Sequence, residues 1–163
     1  MKHLPNTFNS VVSGEFIYVF GGSGSERTCH RLSVKTRALI TEEMTGIKGG
    51  TKISVCCDGE DHIYLVGGFE NDRLARVDRY NIRTNKFERH GELRLPCYFL
   101  VSFVYNGKLY SIPQYGPDLV IYDIATKKSE THTPPHLFSA SMSACTVCKK
   151  SAKYHTSKSI CDS

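Results

Sequence analysis

Tryptophan is absent from the 163 residues, so aromatic packing falls to nine tyrosines and eight phenylalanines. No run of about 18 apolar residues occurs, which excludes a membrane-spanning helix. No segment sustains apolar residues at helical spacing between capping residues, so helices are not expected. The first ten residues, MKHLPNTFNS, lack the apolar core of a secretory signal. Catalytic signatures are missing too: no G-x-S-x-G elbow, no P-loop, no G-x-G-x-x-G and no H-E-x-x-H. The sequence therefore assigns no catalytic residue and no cofactor, and it reads as non-enzymatic.

What is present suits a packed domain. The apolar fraction is 40%, enough to bury a core. The net charge is +5, but residues 145–163 hold Lys149, Lys150, Lys153 and Lys158 against Asp162 and so carry +3 of it. The remaining +2 is spread among charges of both signs, a solvated surface rather than a basic stripe, which argues against nucleic acid as a partner. Seven cysteines without a leader point to free thiols in a reducing, cytoplasmic setting. Cys29, Cys56, Cys57 and Cys97 lie in apolar runs and read as small buried residues.

The strongest pattern is a repeat. IYVFGG occupies residues 17–22 and IYLVGG residues 63–68, and Leu109-Tyr110 opens a third copy, each step being 46 residues. A glycine turn precedes each copy, at Gly14, Gly59 and Gly107. A second phrase follows: HRLSVKTRAL (30–39), RYNIRTNKF (79–87) and IYDIATKKS (121–129), in which Thr36, Thr84 and Thr126 align. A third phrase precedes the turn, as LPNTFNSVV (4–12) and LPCYFLVSFV (95–104), and PPHLFSASM (134–142) opens a fourth copy. The runs FIYVF, HIYLV and KLYSI are β-branched, aromatic and bounded by glycine, as strands are. About four strands per unit is the composition of a propeller blade, and stacked blades bury faces that one blade cannot bury alone. The double glycine suits the end of an inner strand, where the backbone turns to positive φ.

These phrases resemble the kelch family: an apolar run ending in Gly-Gly, then a tyrosine, then an aromatic seven residues later. The second repeat fits best, with Gly67, Gly68, Tyr80 and Phe87. The first keeps Gly21 and Gly22 but has Leu32 and Leu39 in the aromatic places. The third keeps Tyr122 but has Pro113-Gln114 for the glycine pair and Ser129 for the second aromatic. The resemblance implies an all-β fold: a partial kelch-type β-propeller of about three four-stranded antiparallel blades in an incomplete ring. Its repeats would run over residues 4–48, 49–94 and 95–133, with a fourth starting at 134–144 and a basic, disordered tail at 145–163. The glycines and aromatics are then architectural.

Function is expected in the loops, because strand-joining loops crowd at the ends of such a ring and vary freely. The candidates follow the glycine pairs: Glu26 and Arg27, then Phe69, Glu70, Asp72 and Arg73, then Tyr115. Charged groups and aromatic anchors of this kind serve protein partners. The resemblance implies a protein-interaction module, a class that includes substrate adaptors and cytoskeletal proteins. Self-association to complete the ring is a further expectation. GGSGSE (21–26) reads as a blade turn rather than a phosphate cradle, and the seven histidines are scattered. One alternative lies in the tail, where Cys145, Cys148, His155 and Cys161 offer the donors of a zinc site that could contact nucleic acid. Another is a truncated copy without stable function.

Overall fold

The computed structural model describes residues 9–47, 49–97, 101–113 and 118–133, and every regular element among them is a strand. The start of the fourth repeat, the tail and Tyr115 lie outside the described residues. Three antiparallel sheets follow one another along the chain. The first contains β1 (Asn9–Ser13), β2 (Phe16–Phe20), β3 (Thr28–Ser33) and β4 (Leu39–Glu43), in that order. The second contains β5 (Ser54–Cys57), β6 (His62–Val66), β8 (Asp72–Asn81) and β9 (Lys86–Cys97), with the short β7 (Phe69–Glu70) added against β8. The third contains β10 (Val101–Tyr105), β11 (Lys108–Ile112), β12 (Leu119–Asp123) and β13 (Ser129–His132). We call the sheets blades 1, 2 and 3.

The 46-residue period becomes a repeated strand register. Ile17 pairs with Leu32, Ile63 with Tyr80 and Leu109 with Tyr122. One strand further out, Leu32 pairs with Leu39, Tyr80 with Phe87 and Tyr122 with Ser129. The turns repeat as well. The amide N–H groups of Thr36, Thr84 and Thr126 donate to the side chains of Ser33, Asn81 and Asp123, at 3.1, 2.9 and 2.7 Å. The next residue, Arg37, Asn85 or Lys127, takes a left-handed φ of 59, 53 or 59°. Short polar side chains that bond the backbone two or three residues on are what fix such turns.

Packing follows the period-two alternation of each strand. β5 lies beside both β1 and β10, so the first strand of each blade is the innermost. The glycine pair thus ends the second strand of its blade rather than the innermost. On β6, Ile63 and Leu65 turn toward blade 1 and join Tyr18, Phe20, Cys29 and Tyr80. Tyr64 and Val66 turn toward blade 3 and join Leu109, Val120 and Tyr122. Blade 2 is buried on both faces. Each large apolar side chain removed from water in this way contributes about 1.5–3 kcal/mol, which one blade cannot obtain alone. Where the aromatic pattern is fullest, Tyr80 and Phe87 lie 4.5 Å apart and Phe20 meets both rings edge-on. Three blades do not close a ring, and the outward faces of blades 1 and 3 meet no further blade among the described residues.

Candidate functional site

The glycine pairs set the site's geometry. Gly21 and Gly22 have φ of 64 and 107°, and Gly67 and Gly68 have 61 and 109°. This double left-handed bend, repeated almost to the degree, is costly for any residue with a Cβ. It carries the chain off β2 and off β6 in the same direction. Because strands alternate in direction, the segments after β2 and β6 emerge at the same end as the linker after β4.

That linker joins the two segments. The Gly50 N–H donates to the Glu26 carbonyl at 2.8 Å. Thr51 and Phe69 exchange backbone hydrogen bonds at 3.0 and 2.9 Å. A Cβ on Gly49 would lie 2.0 Å from the Glu26 carbonyl oxygen, so the approach needs glycine there. The Lys52 ammonium sits 5.4 Å from the centre of the Phe69 ring, a cation–π contact.

The sequence-predicted residues fall on this rim as follows. Glu26, Arg27, Phe69, Glu70, Asp72 and Arg73 are all exposed, and the linker holds their two segments side by side. Phe69, Glu70, Asp72 and Arg73 do not form an open loop: β7 folds back on β8 about Asn71, whose φ is 62°. The Glu26 carboxylate accepts the Gly24 N–H at 2.9 Å, which holds its pKa below the ordinary value. Arg27 faces Glu43 at 3.7 Å. Gly21, Gly22, Gly67 and Gly68 shape the backbone beneath, and Tyr80, Phe87 and Tyr122 are buried between blades. Tyr115, Cys145, Cys148, His155 and Cys161 lie outside the described residues.

Sequence reasoning missed what supports the rim. Arg76 and Asp78, on β8, are only 4% and 1% exposed. The Arg76 Nε lies 3.0 Å from the Asp78 Oδ2, meeting it as a charge rather than as an aligned hydrogen bond. The Arg76 guanidinium also donates to the Gly49 carbonyl, tying the linker to blade 2. Arg89 approaches the other Asp78 oxygen at 3.5 Å. Burial pushes the Asp78 carboxyl upward, and the two arginines pull it back. A signal was available: Asp78 and Arg76 stand two and four residues before Tyr80, hence on its buried face. The Gly49-Gly50 doublet marked the linker.

Among the described residues, no group of three or more His, Cys, Asp or Glu is placed to hold a metal. Cys29 is buried and its thiol is pushed up to about 12, so it stays protonated at neutral pH. Burial raises Cys56 and Cys97 in the same direction. No helix of the described residues is long and apolar enough to cross a membrane.

Comparison with known proteins bears on this geometry directly. The family model of the Kelch motif matches residues 55–89, from β5 into β9. The second blade is a kelch repeat. The chain also superimposes on the kelch-repeat β-propeller YjhT, with a TM-score of 0.67 at 13% sequence identity. The match covers 81% of this chain and 53% of YjhT, so the chain spans about half of that protein's length. At that identity the likeness is one of fold. A search among curated proteins finds no relative of this chain. Taken with the three antiparallel sheets, these matches make the fold a partial kelch-type β-propeller.

Proposed function

We propose that this kelch-type stack is a non-catalytic protein-interaction module whose contact surface is the rim formed by residues 23–27, 49–52 and 69–73. The observation that supports the reading most is the linker: Gly50 holds the Glu26 backbone and Thr51 holds the Phe69 backbone, so two loops form one preorganised surface. A preorganised surface loses less conformational entropy on binding than free loops do. Phe69 supplies an apolar anchor, and Glu26, Arg27, Glu70, Asp72 and Arg73 surround it with both signs of charge. That mixture suits a protein partner of mixed charge better than a polyanion. A substrate-adaptor or cytoskeletal role in the cytoplasm fits the module, with the described free cysteines compatible with a reducing setting.

The test is site-directed cross-linking. A photoreactive residue at Glu70, exposed on the same rim, should trap a partner from cell extract, and the same protein with Phe69→Ala and Arg73→Glu added should lose it. A variant at the opposite end, Lys35→Glu with Arg83→Glu, should keep it. Equal capture by all three proteins would remove the rim as the contact surface.

A further inference from the structure

The outward side of blade 3 is more apolar than the matching sides that blades 1 and 2 bury. Cross-strand partners share one face of a sheet, so each blade presents a row of four side chains to the blade after it. In blade 1 the row is Val11, Tyr18, Arg31 and Ile40, and in blade 2 it is Cys56, Tyr64, Arg79 and Glu88. In blade 3 it is Phe103, Tyr110, Ile121 and Glu130. Ile121 stands where the other two blades carry arginine. Phe103 and Tyr110 stack with ring centres 5.3 Å apart, and both are half-buried with no following blade among the described residues.

The outward side of blade 1 is the counterpart. Its row is Val12, Ile17, Leu32 and Leu39. The same row in blade 2, Cys57, Ile63, Tyr80 and Phe87, packs against blade 1. In blade 1 the ends of the row are open, with Val12 60% and Leu39 45% exposed. An end repeat of a stacked-repeat protein carries a polar outer face when water is its neighbour. Here the central row of each outer face is apolar but for Glu130, while the rows beside it carry His30 and Thr41 on blade 1 and Lys108 and Asp123 on blade 3. Each central row repeats one half of a junction that the chain already makes twice.

We infer that two copies of this chain join head to tail, the outward face of blade 3 in each copy covering the outward face of blade 1 in the other. The pairing continues the internal junctions: a row led by a tyrosine on the second strand meets a row of Ile, Leu and their kind. Two such junctions close a twofold ring of six blades, within the range of about 4–8 that propellers use. The length agrees, since one chain spans 53% of YjhT.

Sedimentation equilibrium on the full chain tests this. The expected mass is twice 18.3 kDa. The combined Val12→Asp and Leu39→Asp variant, altered only at exposed positions, should retain its strand signal by circular dichroism and fall to single-chain mass. The Ile121→Asp variant should also fall to single-chain mass. An equimolar mixture of the two should recover the two-chain mass, because one intact junction remains between them. A single-chain mass for the unaltered protein at every concentration overturns the inference, as does an open series of larger masses. A two-chain mass that survives Val12→Asp with Leu39→Asp overturns it too, and so does one lost in that variant but kept in a folded Ile121→Asp. If Ile121→Asp does not fold, the exposed-site variant alone decides.

Discussion

The His90 Nδ1 lies 2.7 Å from the Tyr122 hydroxyl, and both residues are buried where blade 2 meets blade 3. The imidazole stands edge-on to Tyr64 and to Tyr122, 5.7 Å from each ring. Burial holds the His90 pKa below its ordinary 6.5, and Arg79 and Lys127 push the same way. The unfolded chain therefore binds the proton more readily than the folded one. Stability should be unaffected by this group above about pH 6.5 and should fall as pH drops below it, until the folded-state pKa is passed. Thermal melts from pH 8 to 5 check this. His90→Gln should melt lower at pH 8 and show a flatter decline toward pH 5 than the unaltered chain.

Gly91, the next residue, is small for a reason of space. A Cβ there would lie 2.2 Å from the Tyr122 hydroxyl oxygen and 3.0 Å from its ring carbon Cζ. Gly91→Ala must push Tyr122 away and should cost about 1–3 kcal/mol. Tyr122→Phe alone removes the partner of His90 and should cost about 1 kcal/mol. The two losses should be less than additive when combined, because the phenylalanine removes the nearest clash. Urea titrations of the four proteins give the coupling, and strict additivity would show that Gly91 and Tyr122 do not constrain each other.

The buried charges of blade 2 should be unforgiving when halved. Asp78→Ala leaves Arg76 buried with no carboxylate and should cost about 3–5 kcal/mol. The combined Arg76→Met and Asp78→Leu variant removes both charges and should recover most of that loss. It should remain about 1 kcal/mol below the unaltered chain, since the Gly49 carbonyl loses the donor that Arg76 supplied. Equilibrium unfolding measures all three proteins. An Asp78→Ala variant as stable as the parent would mean that the pair is not closed to water.

Much of this fold was legible in the sequence because the blades repeat what they bury. Ile17, Ile63 and Leu109 stand at constant spacing since each occupies the same register position. The glycine pairs were legible because only glycine takes their φ values cheaply. Arg76 and Asp78 were harder to see, because a charge on a buried face breaks the apolar alternation that reveals a strand. The β7 hairpin looks like a loop in the sequence because its two paired positions, Phe69 with Arg73 and Glu70 with Asp72, are too short to show any alternation. The linker escaped because its hold on both rim loops is made by backbone groups at Gly50 and Thr51, which no side-chain pattern reports.

The three outer turns offer a gain rather than a loss. Asn85, Arg37 and Lys127 hold the same place and the same left-handed φ, near 53–59°. A long side chain in that conformation costs more than asparagine does, because the Cβ of either crowds the following carbonyl but only asparagine's short polar side chain makes a compensating local hydrogen bond. Blade 2 already has the favourable residue, and its Asn85 side-chain oxygen also accepts the Tyr80 hydroxyl at 2.8 Å. Arg37→Asn and Lys127→Asn should therefore each stabilise by about 0.5 kcal/mol, and by about twice that together, because the turns lie in blades 1 and 3 and share no partner. The gain should be larger at Lys127. There Tyr122 is the tyrosine of the repeat and can donate its hydroxyl hydrogen when its oxygen accepts from the His90 Nδ1–H, whereas Leu32 in blade 1 has no hydroxyl. Melting temperatures of the two single variants decide the order. A lower melting point for Lys127→Asn would mean that the left-handed turn is not retained in blade 3.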